Sequence, residues 1–198
     1  MYLKFALRSL VAFHPKLGQK TIKGFQSAIA FLSYMNKAHK IIELGGGAGD
    51  LKFFILRYAS NLKKFQHRPL KHPVIVILDN DGAAKDVFNM IKKTYKITIT
   101  PSSPELFFHI ADNLYLVKTP LSAPRIEDLF DPSLLKTEIE GKKFNPDKEH
   151  EAVGEYGKAI FADKVVRPNA DKIDFSKFAP LLESISAAMD HYKPPTTA

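Results

Sequence analysis

The sequence VIVILDNDG, residues 74–82, joins a run of five apolar residues to two aspartates. An apolar run without alternation predicts a strand that is buried on both faces, as in a parallel sheet covered by helices. Asp79 and Asp81 follow this strand at its carboxyl end, which is where open α/β sheets bind their ligands. Because side chains alternate in direction along a strand, we expect both carboxylates on one side and Asn80 on the other.

Two carboxylates side by side supply the hard oxygen ligands that Mg²⁺ and Mn²⁺ prefer. The pattern therefore predicts a divalent metal site at Asp79 and Asp81. The same residues also have a structural interpretation, in which Asp79 caps the next helix and residues 80–82 form a simple turn. The pattern alone leaves both interpretations open.

The segments around this strand alternate between strand-like and helix-like patterns. Further strands are predicted at 40–44, 95–100 and 113–118, and helices at 2–13, 51–62, 83–94, 126–130 and within 159–192. This order predicts an α/β fold with a mainly parallel sheet. We expect an α/β domain over 1–141, a C-terminal extension packed on it over 142–192, and a disordered tail over 193–198.

Composition narrows the class of protein. The 198 residues contain no cysteine, which excludes disulfides, thiolate zinc sites and cysteine nucleophiles. No apolar run is long enough to cross a bilayer, so no membrane partner is expected. The lack of cysteine is compatible with a reducing cytoplasm, and a cytoplasmic location is expected. With 29 Lys and Arg against 21 Asp and Glu, the formal charge of +8 makes nucleic acid the expected partner class. The alternative is that the lysines only keep the protein soluble.

A glycine-rich segment, ELGGGAGDL at 43–51, follows the predicted strand 40–44. Such a turn exposes N–H groups that attract anions, so Gly46 and Gly47 are candidate phosphate contacts. The segment is a weak indication of an S-adenosylmethionine-dependent methyltransferase-like domain, because it lacks the G-x-G-x-x-G spacing. A tight turn between strand and helix explains the pattern equally well.

An acidic group, RIEDLFD at 125–131, follows the predicted strand 113–118. If that strand lies next to 74–78 and parallel to it, Glu127 and Asp128 lie near Asp79 and Asp81 and add metal ligands for phosphodiester chemistry. An acidic first turn that matches the helix dipole is the alternative explanation. Lys85, at the start of the helix predicted at 83–94, is a further candidate phosphate contact.

The segment PVIVILDNDGAAKDVFNMIKK at 73–93, with GGGAGDLKFFI before it and NLYLVKTP and IEDLFD after it, resembles the TOPRIM-type domain at the C-terminus of some retron reverse transcriptases. It is similar, more distantly, to the TOPRIM nuclease half of overcoming-lysogenization-defect proteins. The resemblance implies a Rossmann-like, three-layer α/β/α fold. In that fold a glutamate and an Asp-x-Asp pair bind Mg²⁺ for strand cleavage or phosphoryl transfer, and Asp79 and Asp81 match the pair.

In the retron-type domain the glutamate ends the first strand, just before a helix that resembles YLKFALRSL at 2–10. We therefore expect the first strand and its glutamate to be missing here, and Glu43 to belong to the second strand. The resemblance implies a Mg²⁺-dependent nuclease effector in phage defence, with a reverse transcriptase and its RNA–DNA product as partners. The missing glutamate favours the alternative, a catalytically inactive TOPRIM-fold module that binds nucleic acid or protein. No polymerase activity is expected, because the chain has no Tyr-x-Asp-Asp motif.

Overall fold

A computed structural model describes residues 1–22, 24–32, 44, 47–64, 70–148, 150 and 152–195. These residues form a mixed α/β fold, as the sequence predicts. The chain divides into two compact units. The first unit comprises 1–29 and 125–182, and the second comprises 30–124 and 183–198. The domain boundary predicted at 141 lies inside the first unit.

The regular elements are mostly short. The helices are α1 Tyr2–Ser9, α2 His14–Leu17, α3 Gly47–Leu62, α4 Ala84–Tyr95, α5 Pro132–Leu135, α6 Lys158–Ile160 and α7 Ala179–His191. The strands are β1 Gly18–Thr21, β2 Gly24–Ser27, β3 Val74–Leu78, β4 Phe108–Ala111, β5 Leu114–Lys118, β6 Lys143–Phe144 and β7 Glu155–Tyr156. Single 3₁₀ turns occupy Val11–Phe13, Ile126–Leu129, Arg167–Asn169 and Ser176–Phe178, and Phe161–Val166 is a π-helical segment. None of the helices described is both long and apolar enough to cross a bilayer.

The second unit contains a three-stranded sheet in the order β3-β5-β4. β3 and β5 are parallel neighbours, with Val74 opposite Leu114 and Leu78 opposite Lys118. β4 runs antiparallel to β5. The predicted strands at 74–78 and 113–118 are thus confirmed and directly adjacent. Because the described sheet joins one parallel and one antiparallel pair, the mainly parallel three-layer arrangement stays a prediction.

Helices α3 and α4 share one hydrophobic core with this sheet. The strands contribute Val76, Leu78, Phe108, Ile110, Leu114 and Leu116, and the helices contribute Ile55, Tyr58, Ala84, Val87, Phe88, Met90 and Ile91. The α4 positions recur at spacings of three and four, which gives a helix one apolar face. On another side of the sheet, the hydroxyl of Tyr115 is hydrogen-bonded to His191 Nδ1 of α7 at 2.9 Å.

The prediction of an edge strand at 95–100 is wrong. Tyr95 is the last residue of α4, and Lys96 ends the helix in the left-handed conformation with φ of 62°. The strand that pairs with β5 on the side away from β3 is β4. The alternating pattern arises because Tyr95, Ile97 and Ile99 pack against the core from the helix end and the loop after it. The alternation of apolar and polar residues at 95–100 therefore reflects the burial of every second side chain, and the segment pairs with no strand in the described residues.

Other boundaries shift by a few residues. The helix predicted at 2–13 ends at Ser9 and continues as a 3₁₀ turn, and the helix predicted at 51–62 begins earlier, at Gly47. The polar stretch at 142–156 contains the paired strands β6 and β7. The strand predicted at 40–44 falls, except for Leu44, outside the described residues, and so does part of the predicted tail.

The first unit has an aromatic core. Phe130 is fully buried, and its ring centroid lies 5.0 Å from that of Tyr2, 5.5 Å from Phe161, 5.9 Å from Phe175 and 5.1 Å from Phe178. All four neighbours meet it edge-on, the arrangement that the aromatic quadrupole favours. Residues from both segments of the first unit are thereby held in one cluster.

Tyr58 gives the second unit a measurable pH dependence. Its hydroxyl donates to Asn113 Oδ1 at 2.8 Å, and burial raises the pKa of Tyr58 to about 12. Since an unfolded tyrosine titrates near pH ~10, the stability that Tyr58 contributes is complete below that pH and is lost as the pH rises towards the folded pKa.

We expect the free energy of unfolding of the Tyr58→Phe variant to fall less steeply than that of the wild type between about pH 10 and 12. At pH 8 the variant should be less stable by about 1 kcal/mol, because one hydrogen bond is lost. Urea unfolding followed by circular dichroism at pH 8, 10 and 11 measures both effects. Parallel pH profiles for the two proteins would contradict the assignment.

Candidate functional site

The carboxyl ends of β3 and β5 lie side by side, because the strands are parallel and Leu78 is opposite Lys118. Residues 79–82, called the aspartate turn here, follow β3, and Thr119 follows β5 at the same edge of the sheet. Residues 79–82 together with Lys118 and Thr119 are called the carboxyl edge here. Both aspartates are half-buried, whereas Asn80 and Thr119 are buried.

Three loops meet at Asn80. Its backbone N–H donates to Thr119 Oγ1 at 2.9 Å and to the Pro124 carbonyl at 2.7 Å, and its side-chain Nδ2 donates to the Pro101 carbonyl at 2.9 Å. The Thr119 hydroxyl in turn donates to the Pro124 carbonyl at 2.7 Å. Asn80 therefore holds the turn, and its bonds fix the backbone between the two aspartates.

Asp81 stabilises the start of α4. Its Oδ1 accepts the backbone N–H of Ala83 at 2.9 Å, which is the local turn that aspartate side chains commonly form. The turn at 80–82 in the structural interpretation is thus realised through Asp81. A carboxylate has two oxygens and about four lone-pair positions, so this bond is compatible with metal binding.

Lys118 adds a positive charge to the carboxyl edge. Its Nζ donates at 2.9 Å to the Pro101 carbonyl, the same oxygen that accepts from the Asn80 side chain. Burial lowers the pKa of Lys118, and the charge of Glu105 opposes that shift. Sequence reasoning did not single out Lys118 or Thr119. One sequence feature could have indicated them: a polar Lys-Thr-Pro sequence follows an apolar run, just as Asp-Asn-Asp-Gly follows the apolar run of β3.

The predicted phosphate contacts lie at helix starts or outside the described residues. Lys85 is exposed in the first turn of α4, directly after the aspartate turn. Gly47 is the first residue of α3, and Gly46 lies outside the part of the chain that the structure describes. Their roles as phosphate contacts stay predictions.

Glu127 and Asp128 belong to the first unit, whereas the aspartate pair belongs to the second. Glu127 is buried, and its Oε2 lies 3.3 Å from Lys158 Nζ, an ion pair that offsets the cost of burying the carboxylate. Asp128 Oδ2 accepts the backbone N–H of Arg125 at 2.9 Å and caps the 3₁₀ turn that follows. Each acid therefore has a structural contact of its own, and metal binding by either stays a prediction.

The donor atoms of the carboxyl edge suit a small hard cation. Among the described residues, no group of three or more His, Asp or Glu side chains is placed to hold a metal ion. Mg²⁺ commonly uses only one or two carboxylates, keeps several waters and takes further oxygens from a substrate phosphate. Asp79 and Asp81 provide that number. Oδ1 of Asn80, the residue between them in the sequence, is a buried acceptor that has no hydrogen-bond partner in the described part of the chain. This all-oxygen set fits Mg²⁺ or Mn²⁺.

Thr119→Val tests whether the Asn80 junction stabilises the edge. Removing the buried hydroxyl leaves the Asn80 N–H with one acceptor fewer and takes a donor from the Pro124 carbonyl, so we expect a loss of about 1–3 kcal/mol in the free energy of unfolding. Thr119→Ser keeps the hydroxyl and is the matched control, with a smaller loss. Urea unfolding measures both variants, and a valine variant as stable as the serine variant would refute the role of the hydroxyl.

No protein-family model matches this chain. No solved structure matches it significantly either. Its function is therefore inferred from the chemistry of the carboxyl edge and from the charge of the chain.

Proposed function

We propose that the chain is a TOPRIM-like domain that binds Mg²⁺ or Mn²⁺ at Asp79 and Asp81 and cleaves phosphodiester bonds in nucleic acid. One observation carries the proposal: β3 ends at Leu78, the aspartate turn follows, and α4 begins at Ala84, next to the carboxyl end of a parallel strand. Ligand sites of open α/β sheets lie at this end of the strands. The formal charge of +8 supports a polyanionic substrate.

The residues of the carboxyl edge have separate roles in the proposed reaction. Asp79 and Asp81 hold the cation, which when bound supplies charge stabilisation at the scissile phosphate and an activated water. Lys118 and Lys85 contact the non-bridging phosphate oxygens, where negative charge develops. The three hydrogen bonds of Asn80 keep the aspartate turn in one conformation before the substrate arrives.

A cleavage assay with the full chain tests the proposal. Labelled single-stranded DNA, duplex DNA, RNA and an RNA–DNA hybrid are incubated with Mg²⁺, with Mn²⁺ or with EDTA. We expect at least one substrate to be cut in the presence of metal and none in EDTA. Cleavage that persists in EDTA, or no cleavage of any substrate at any metal concentration, would overturn the assignment.

A module that binds without catalysis is the second candidate. It is favoured by the contacts of the predicted ligands, since Asp81, Glu127 and Asp128 each make a structural hydrogen bond or ion pair. This candidate predicts that nucleic acid binds with the same affinity in Mg²⁺ and in EDTA, and that no strand is cut. A metal-dependent affinity would exclude it.

The proposed partners are a retron-type reverse transcriptase and its RNA–DNA product, in a phage-defence role. This part of the proposal is supported by the resemblance of residues 73–93 alone. The coding sequence immediately upstream of Met1 tests it. An in-frame reverse transcriptase that ends in a strand with Glu-Gly supports the association, and an unrelated upstream sequence argues against it.

A further inference from the structure

The hairpin of β1 and β2 borders an open cleft in the first unit. The cleft encloses about 540 Å³, within the size range of ligand sites in proteins. The polar residues on its wall are His14, Lys16, Gln19, Lys20, Gln26 and Ser27. His14 Nε2 and the Ser27 hydroxyl are bonded to the carbonyls of Leu7 and Ile29, both at 2.9 Å. The two lysines and the two glutamines are the side chains that offer an anionic ligand positive charge and N–H donors in one concave surface.

The charged residues that line this cleft are all basic or histidine. None of the described residues that line it is acidic. The first 42 residues of the chain contain seven Lys or Arg and no Asp or Glu, although the whole chain contains 21 acidic residues. Such segregation makes the segment itself basic, and a concentration of positive charge attracts polyanions.

The hairpin is held in a fixed position. The ring of Phe25 lies so close to Gly18 that a Cβ there would be 2.4 Å from it, which explains the glycine. The same ring is 4.7 Å from the imidazole of His14 on α2. Packing of Phe25 thereby holds α2 and β1 together, and these two elements carry Lys16 and Lys20, which are exposed and line the cleft.

We propose that this cleft binds single-stranded nucleic acid, with Lys16 and Lys20 contacting backbone phosphates. The half-buried imidazole of His14 and the exposed Val11, 66% accessible, give unstacked bases an aromatic and apolar surface. Single strands expose their base faces and duplexes hide them, so this combination of cations and base contacts selects the single strand. The cleft shares no residue with the carboxyl edge, and its binding requires no metal.

Fluorescence anisotropy with a labelled 20-nucleotide single strand, in EDTA, tests the proposal on the full chain. We expect Lys16→Gln/Lys20→Gln to raise the Kd at least 10-fold at 100 mM NaCl. The slope of log K against log[NaCl] should fall by about 1.4, because two phosphate contacts are removed. The control Lys136→Gln/Lys172→Gln makes the same charge change at exposed lysines of the same unit and should change the Kd less than twofold.

Three comparisons decide the outcome. Equal weakening by the two double variants would overturn the proposal, because only net charge would then matter. A duplex of the same length that binds more tightly than the single strand would also overturn it, as would a wild type that binds neither at 50 mM NaCl. Because all of these measurements are made in EDTA, failure of the proposed metal site is separated from failure of the cleft.

Discussion

Replacing Phe130 by alanine is expected to lower the free energy of unfolding of the first unit by about 3–5 kcal/mol. Phe130 is fully buried, and its ring contacts four other aromatic rings edge-on. The substitution removes the buried surface of the ring, leaves a cavity and loses several favourable ring pairs at once. Since whole domains are stable by only about 5–15 kcal/mol, this is a large fraction of the total.

Urea unfolding followed by circular dichroism measures this loss, with Phe53→Ala as the control. Phe53 lies on α3 and is 47% exposed, so its truncation should cost about 1 kcal/mol or less. Phe130→Leu preserves more of the volume and should fall between the wild type and Phe130→Ala. A Phe130→Ala variant within 1 kcal/mol of the wild type would show that the aromatic cluster is not the core of this unit.

The second large effect concerns the aspartate pair. Asp79→Asn/Asp81→Asn is expected to reduce metal-dependent cleavage by about 10³-fold or more, because a bound cation contributes several kcal/mol to the transition state. Asparagine keeps the volume of aspartate and can still accept the Ala83 N–H at position 81, so the fold should survive. The free energy of unfolding of the double variant is therefore expected to remain close to that of the wild type.

Glu138→Gln/Glu183→Gln is the matched control for this variant. Both glutamates are exposed, lie outside the carboxyl edge and change the net charge by the same amount. The control should cleave at the wild-type rate. A similar loss of cleavage in both double variants would assign the effect to net charge, and full activity in Asp79→Asn/Asp81→Asn would exclude the aspartates from catalysis.

The sequence predicts the centre of the second unit well, because local pattern and tertiary environment agree there. The five apolar residues of β3 are followed by a turn and by the amphipathic α4, and each element occurs within two residues of its predicted bounds. In contrast, YKITIT at 95–100 has the period of a strand but packs as a helix end and loop. The spacing of apolar residues reports which side chains are buried, and it does not report whether the backbone is hydrogen-bonded to a neighbouring strand.

The candidate site was predictable only where it depends on contiguous residues. Asp79, Asn80 and Asp81 are read directly from one strand end, whereas Thr119 joins them through a parallel pairing across about 40 positions. Glu127 was assigned to the same site because it follows β5 in the sequence. In the structure it belongs to the first unit and is ion-paired with Lys158, and its role as a metal ligand stays a prediction. Such long-range pairings leave no periodic signal in a single sequence.

Mn²⁺ titration followed by electron paramagnetic resonance tests the central claim most directly, because it needs no knowledge of the substrate. Wild-type protein is expected to bind Mn²⁺ specifically, and Mg²⁺ should displace it. Asp79→Asn/Asp81→Asn should weaken this binding at least 10-fold, and Glu138→Gln/Glu183→Gln should leave it unchanged. Specific binding that survives in the Asp79→Asn/Asp81→Asn variant, or no specific binding by the wild type, would contradict a metal site at the carboxyl end of β3.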